Sequence, residues 1–323
     1  MTVAVDVESR LMARLGLTPA MTVAMAALIV FLLVGPFVFY PVFLMKILCF
    51  ALFACAFNLL IGYVGLLSFG HAAYFGFGSY VAAYAAKKWG FTAEASILIG
   101  GLTGCILGTV FGWLAIRRSG LYFAMITLAL AQMMFFVALQ APFTGGEDGL
   151  QNVPRPAILG LIPTTSDMNA YWLVATVFLI FFLLVYRIVH SPFGQVLKGI
   201  RENEPRAISL GYNVDRYKLL AFIISATISG IAGGTKAIVF GLATLTDVHF
   251  QMSGNVLLMT LVGGLGTIFG PVVGSIVLTF MELYLAHIAD WVVVIRGVIF
   301  VACVLLFRKG IVGTVAARLK INL

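Results

Sequence analysis

Long apolar runs recur along the chain from Met21 to about residue 307, and most have the length that a helix needs to cross a bilayer. At a rise of about 1.5 Å per residue, ~20 residues span the hydrocarbon core. Because lipid offers no hydrogen bonds to the backbone, such runs form helices. The pattern predicts about ten segments, at roughly 21–40, 42–61, 62–86, 95–116, 119–140, 170–187, 219–241, 254–270, 271–289 and 290–307.

The composition excludes a water-soluble fold. Hydrophobic residues make up 62% of the chain and charged residues 10%, whereas soluble domains carry roughly 25% charged residues. Membrane lipid must therefore surround most of the surface. We predict an all-α polytopic membrane protein with about 8–10 transmembrane helices, some of them broken or short. The doubtful crossings are 62–86, which is rich in glycine, and 254–270, which is short.

The basic residues predict the orientation. The net charge is +8, but lysine and arginine stand mainly in short loops between apolar runs, which indicates a topology signal and no nucleic-acid binding. With the N-terminus in the cytoplasm, the outer loops hold only Lys87, Lys88 and Arg155 of these residues. Both termini are therefore predicted to be cytoplasmic.

This orientation divides the chain into three parts. We predict a cytoplasmic N-terminal tail at 1–20, a transmembrane domain at 21–307 and a cytoplasmic C-terminal tail at 308–323. Two loops are longer than a turn, and we expect 141–169 on the outer side and 188–218 on the cytoplasmic side.

Catalytic and metal-binding motifs are missing. The sequence contains no G-x-x-x-x-G-K-[ST] phosphate loop, no H-E-x-x-H and no G-x-S-x-G. The histidines lie far apart, and the cysteines lie inside apolar runs without metal-ligand spacing. We therefore predict no catalytic residue, metal or cofactor, and ATP hydrolysis cannot be assigned to this chain.

Two glycine-rich stretches lie in opposite halves of the chain, at 58–80 (NLLIGYVGLLSFGHAAYFGFGSY) and 263–275 (GGLGTIFGPVVGS). Small residues allow close helix packing, and they also allow a helix to unwind beside a substrate. Both interpretations stay open. Polar groups inside apolar spans are the candidates for a substrate pathway: Asn58, Ser68, His71, Thr127 and Gln132.

Two charges lie deep inside predicted spans. Glu282 and Arg296 are each seven residues from Ala289, where we place an outer turn. In an antiparallel hairpin both would lie about 10 Å below that turn. Since a lone charge in lipid is costly, we predict that the two form an intramembrane ion pair.

The cytoplasmic loop contains an amphipathic stretch, GQVLKGIRENEPRAISLG. Pro192 and Gly194 are expected to end the preceding helix, Pro205 to interrupt the next one, and Gly211 to end it. An exposed helix of this kind favours a docking surface, although a solvated loop helix without a partner has the same pattern.

Together these motifs resemble the permeases of branched-chain amino-acid ABC importers, most closely the M-type subunit of the Liv system. The resemblance rests on the 58–80 stretch, TGGEDGL, SPFGQVLKGIRENEPRAISLGYNVDRYKLLAF and LVGGLGTIFGPVVGS, in that order. It implies a bacterial inner-membrane subunit with a homologous second permease, two ATPase subunits that use ATP-Mg and a periplasmic substrate-binding protein as partners.

The resemblance also implies a role for the cytoplasmic loop, which corresponds to the coupling helix that seats on the ATPase. Arg206 and Pro205 depart from the usual family pattern. The residues expected to couple this chain to the ATPase are Arg201, Glu202, Asn203, Glu204, Arg206 and Gly211.

Two alternative functions stay open, and the sequence argues against only the second of them. A urea or short-amide ABC permease of the same family would look alike. A transporter driven by ions would need carboxylates along an intramembrane path, and only Glu282 qualifies.

Overall fold

The computed structural model describes residues 19–158, 160, 164, 166–285, 294, 297, 298, 301 and 310–319. Within them the chain consists of helices and the segments that connect them, which confirms the all-α prediction. The helices are α1 (Pro19–Val38), α2 (Pro41–Tyr63), α3 (His71–Lys88), α4 (Ala93–Ala115), α5 (Leu121–Gln140), α6 (Asp167–Val189), α7 (Pro192–Glu202), α8 (Glu204–Ser209), α9 (Val214–Phe240), α10 (Phe250–Gly263), α11 (Gly270–Leu285) and α12 (Gly310–Leu319).

Six helices of the described part are long and apolar enough to cross a membrane, namely α1, α2, α4, α5, α6 and α9. The apolar helices α10 and α11 are shorter, and α3 has 18 residues that end on Lys87 and Lys88. The chain is therefore a multi-pass membrane protein. The predicted span 290–307 falls almost entirely outside the described residues.

Helix α2 lies at the centre of the bundle, and 89% of its span is buried inside the protein. Small residues bring α3, α4 and α9 into close contact with one another. A Cβ atom added to Gly78 would lie 2.4 Å from the carbonyl oxygen of Gly230, and one added to Gly100 would lie 2.8 Å from that of Gly78. Backbone-to-backbone packing of this kind is what holds membrane helices together in the absence of a hydrophobic driving force.

The two long loops lie at opposite ends of α9. This helix has 27 residues, or about 40 Å of length. Its first turn follows α8, whereas its last turn accepts hydrogen bonds from the 141–158 segment, where Val153 N donates to Gly241 O and Arg155 Nε donates to Val239 O. We call these the α8 end and the loop end of the bundle.

Two stretches interrupt the helices at membrane depth. After α2 ends, residues 64–70 run without helix from the α8 end to the start of α3, where the His71 side chain meets Ser225 of α9. Ser225 lies about 16 Å along α9 from Val214, so α3 begins near the middle of the bundle. From the loop end, residues 241–249 lead inward to the start of α10 in the same way.

The 188–218 loop breaks close to where the sequence predicts. Helix α6 ends at Val189 and Pro192 begins α7, while the predicted interruption lies at Asn203, two residues before Pro205. Gly211 has a φ of +88°, a left-handed conformation that glycine adopts without strain. The predicted tail 308–323 contains helix α12 among its described residues.

Candidate functional site

The interrupted stretch 64–70 is held by side-chain hydroxyls from distant helices. Thr127 of α5 accepts from Phe69 N at 3.1 Å, and Ser253 of α10 both donates to Phe69 O at 2.8 Å and accepts from Ala72 N at 2.9 Å. The hydroxyl of Ser68 accepts from Gly70 N. Because non-helical backbone cannot lie unsatisfied at membrane depth, these hydroxyls are what allow the break to exist.

His71 belongs to a fully buried polar chain between three helices. The hydroxyl of Ser225 donates to Ala56 O at 2.5 Å, so the proton between Ser225 and His71 Nε2, which are 2.8 Å apart, comes from the imidazole. The His71 ring also makes edge contacts with the rings of Phe57 and Tyr74. The histidine therefore fixes the first residue of α3 to α2 and α9.

Asn58 joins the two glycine-rich stretches that the sequence singles out. Its Nδ2 donates to Thr267 O at 2.8 Å, and its Oδ1 accepts from Gly266 N at 3.0 Å. A Cβ atom on Gly62 would lie 2.8 Å from Gly266 N, so only glycine permits this approach. The end of α2 and the α10–α11 turn thus form one unit at the α8 end.

The predicted pathway residues therefore have definite positions. Asn58, Ser68, His71 and Thr127 are buried and hydrogen-bonded around the 64–70 break. Gln132 is half-buried on α5. Contact of these residues with a transported molecule stays a prediction.

Replacing Asn58 with leucine should lower the thermal stability of the purified protein. Leucine has a similar size, but it leaves Gly266 N and Thr267 O without their partner, and an unsatisfied buried group costs about 1–3 kcal/mol. Thermal unfolding in detergent, compared with Gln132→Leu on the partly buried face of α5, measures the difference. Equal midpoints for Asn58→Leu and wild type would contradict the bridging role.

At the α8 end, α7 and α8 form a compact surface pair. The Ser191 hydroxyl accepts from Gly194 N at the start of α7, and the Asn203 side chain accepts from Arg206 N at the start of α8. Both are N-caps, which define where a helix begins. Ile200, Ala207 and Val214 form a small apolar cluster beneath the pair.

Charged contacts attach this pair to the transmembrane helices. Arg201 Nη1 donates to the carbonyl of Gly62, and Lys198 Nζ lies 5.7 Å from the centre of the Tyr63 ring. Glu204 Oε1 lies 2.5 Å from Nζ of Lys218, whose side chain is only 6% exposed. Arg201 and Glu204, both predicted to couple to a partner, therefore also anchor the pair to its own chain.

The outward side of the pair is a shallow groove with a volume of about 350 Å³. Apolar side chains contribute to its lining, and one of them, Leu210, is 68% exposed. The residues that line the groove include Gln195, Gly199, Glu202, Asn203, Arg206, Leu210 and Tyr212. A rigid, partly apolar groove on a membrane protein's loop is suited to receive another protein.

Comparison with known proteins gives the family. Residues 39–304 match the family described as "Branched-chain amino acid transport system / permease component". The chain belongs to this permease family. Members of this family are transport permease subunits, which are not catalytic. The match confirms the family resemblance that the sequence motifs indicate.

Two kinds of permease protein are among the relatives of this permease. It is 25% identical over 288 residues to the high-affinity branched-chain amino acid transport system permease protein LivM of Salmonella typhimurium, covering 82% of this chain and 68% of the relative. LivM of Escherichia coli gives the same identity and coverage. LivH of Salmonella typhimurium is 23% identical, covering 82% of this chain and 91% of the relative. No solved structure matches the chain.

The permease also has an ion pair at the loop end that the sequence did not indicate. Lys46 Nζ lies 3.2 Å from Glu282 Oε2. Sequence spacing pairs Glu282 with Arg296, and Arg296 lies outside the described residues, so that pair stays a prediction. The sequence does not indicate the Lys46–Glu282 pair, because nothing local shows that the start of α2 lies beside the end of α11.

Proposed function

We propose that this chain is one of two permease subunits of an ATP-driven importer that carries branched-chain amino acids across the bacterial inner membrane. Its partners would be a homologous second permease, two ATPase subunits and a periplasmic binding protein. Family membership supports the transport role, and the kinship with both LivM and LivH supports a pair of permeases.

The observation that carries the ATP-driven part is the exposed groove on α7 and α8. Most residues that line the groove are exposed, and its helices are fixed to α2 by Arg201 and to α9 by the Glu204–Lys218 pair. A surface that is rigidly attached beneath transmembrane helices can pass the motion of a docked ATPase to them. The sequence itself has no phosphate loop.

The same contacts suggest how the motion reaches the pathway. Arg201 holds the end of α2 at Gly62, two residues before the 64–70 break, and Asn58 ties that end to the α10–α11 turn. A displacement of α7 and α8 would therefore move the end of α2 and the α10–α11 turn together. Broken helices of this kind are where transporters bind and release their substrates.

The proposed orientation places the α8 end in the cytoplasm and the loop end in the periplasm. The connection between α6 and α9 and its immediate neighbours carry five basic residues: Arg187, Lys198, Arg201, Arg206 and Arg216. The positive-inside rule favours this side for the cytoplasm.

Reconstitution tests the proposal. Liposomes that contain this permease, its homologous partner and the two ATPases should take up leucine only when ATP is inside and the binding protein is outside. An ATPase mutant that binds but does not hydrolyse ATP provides the control, and urea provides the alternative substrate. Uptake that needs a proton gradient and no ATP would overturn the proposal, and uptake of urea without leucine would overturn the assigned substrate.

A further inference from the structure

A chamber of about 370 Å³ lies at the loop end, between α2, α9, α10 and α11. This volume is at the lower end of the ~300–1,000 Å³ found for small-molecule sites. Its walls are mainly apolar, with Met252 and Met259 on α10 and Phe50 on α2. Set into these walls are two lysines and two carboxylates, Lys46, Lys236, Asp247 and Glu282.

The two ion pairs of the chamber differ in how firmly they are held. Lys236 Nζ lies 2.6 Å from both carboxylate oxygens of Asp247, whose side chain is 2% exposed and also accepts from Thr244 N and Thr244 Oγ1. Lys46 and Glu282 meet through a single oxygen at 3.2 Å, and their side chains are 41% and 25% exposed. The first pair is a fixed part of the wall, whereas the second is longer and more exposed to solvent.

The chamber lies beside the interrupted stretch that enters from the loop end. Leu242, Thr246 and Asp247 of residues 241–249 line it, and α10 begins immediately after this stretch. From Met252 to Met259 the wall extends about 10 Å along α10. The chamber thus combines an opening at one membrane face with an interrupted helix, the setting in which transporters hold their cargo.

We propose that this chamber receives the amino acid in its zwitterionic form, as the permease's own binding site on the periplasmic side. The carboxylate of the amino acid would bind Lys46, its ammonium group would bind Glu282, and its aliphatic side chain would lie against Met252 and Met259. This inference rests on the proposed function, since it assigns residues to the substrate of that importer.

Charge balance explains why a zwitterion suits this site. The four charged side chains that line the chamber in the described part of the chain sum to zero, so a neutral ligand with one charge of each sign can bind between Lys46 and Glu282 and contact both. An aliphatic carboxylic acid or an aliphatic amine carries only one of the two charges, so it would contact only one of the two side chains and add a net charge to the chamber, which is costly away from water. The flexible thioethers of Met252 and Met259 fit branched side chains of different shapes.

A cysteine placed in the chamber tests occupancy directly. In the assembled complex, with Cys49, Cys55, Cys105 and Cys303 replaced by alanine, Met252→Cys should react with a membrane-impermeant thiol reagent added from the binding-protein side. Leucine should slow the reaction, and isocaproate or isoamylamine at equal concentration should slow it much less. Glu147→Cys, in the exposed part of the 141–158 segment, is the control position and should react equally with or without leucine.

Charge variants test the assigned contacts. Lys46→Met should raise the leucine concentration needed for half-protection by roughly tenfold or more, the loss expected for one charge-assisted hydrogen bond. Combining Lys46→Glu with Glu282→Lys restores an ion pair but reverses the ligand's orientation relative to Met252, so protection should stay weak. Asp167→Asn, which removes the Arg155–Asp167 pair of 2.9 Å outside the chamber, should leave protection unchanged.

The outcomes separate this inference from the proposed function. Protection of Met252→Cys that is lost in Lys46→Met and not recovered in the exchanged pair supports the site. Full recovery in the exchanged pair would mean that the two charges act only on structure, and it would overturn the inference. Normal ATP-driven leucine uptake without any protection of Met252→Cys by leucine would also overturn the inference, but it would leave the proposed function intact. Absence of uptake in the wild-type complex would contradict the proposed function itself.

Discussion

Replacing Gly233 with alanine should greatly reduce the amount of folded protein that can be extracted from the membrane. A Cβ atom at this position would lie 1.9 Å from the carbonyl oxygen of Phe75 and 2.8 Å from its carbonyl carbon. A contact with backbone cannot be relieved by changing a rotamer. Since overpacking with a single group usually costs about 1–3 kcal/mol and backbone clashes exceed this, we expect a loss of about 3 kcal/mol or more.

The surrounding contacts explain why α3 and α9 cannot simply move apart. Three residues earlier, Gly230 packs against Gly78 of α3 and against Gly100 and Gly104 of α4. A shift that makes room at Gly233 therefore opens the whole crossing. It would also strain the hydrogen bond between His71 and Ser225, which fixes the start of α3.

A matched substitution is available on α10. An added Cβ atom at Gly254 meets nothing within 4 Å, so Gly254→Ala adds the same methyl group without a clash. Because alanine is the better helix former by roughly 1 kcal/mol, this variant should melt at the wild-type temperature or slightly above it. Fluorescence-detected size-exclusion chromatography after graded heating gives both results, and a wild-type profile for Gly233→Ala would contradict the packing argument.

The sequence alone was sufficient to predict the regular helices. The predicted segments 42–61, 95–116 and 119–140 correspond to α2, α4 and α5 with ends that differ by a few residues. Their apolar length decides this, because lipid permits only a hydrogen-bonded helix there. The amphipathic surface stretch was also predicted, with a break at Pro205. The structure starts its two helices at the N-caps Ser191 and Asn203.

The breaks in the membrane could not be located from the sequence. Residues 62–86 were predicted as one segment, but α3 begins at His71. What stabilises the interruption is the pair of hydroxyls from Thr127 and Ser253, which are 58 and 184 residues away from Phe69 in the chain. No local pattern reveals such partners, although Thr127 is one of the polar residues inside apolar runs that the sequence analysis singles out.

The charged contacts show the same limit. The sequence supports a pairing only between neighbouring segments, which is why Glu282 was matched with Arg296 across a turn. Lys46 and Glu282 are 236 residues apart, and only the tertiary fold brings them together. Likewise, charge patterning identified Glu202 and Arg206 in the surface loop, but it could not show that Leu210 is exposed at the groove.

Leu210→Asp should therefore weaken the association between this permease and its ATPase while the permease still inserts and folds. Leu210 is 68% exposed and lines the groove on α7 and α8, so the substitution costs little in the isolated chain. In a docked complex the aspartate would be buried without a known partner. Truncating or charging a central interface residue commonly costs about 2 kcal/mol of binding free energy, which corresponds to roughly 30-fold weaker binding.

Ser209→Asp places the same charge one residue away and outside the lining of the groove, which makes it the matched control. Co-purification of the ATPases with tagged permease should fall for Leu210→Asp and persist for Ser209→Asp, with ATP-driven leucine uptake falling in parallel. Glu204→Lys cannot serve the same purpose, because it would place a second cation beside the buried Lys218 and disturb α8 itself. If Leu210→Asp retained both the ATPases and full uptake, the groove would not be the surface on which the ATPase docks.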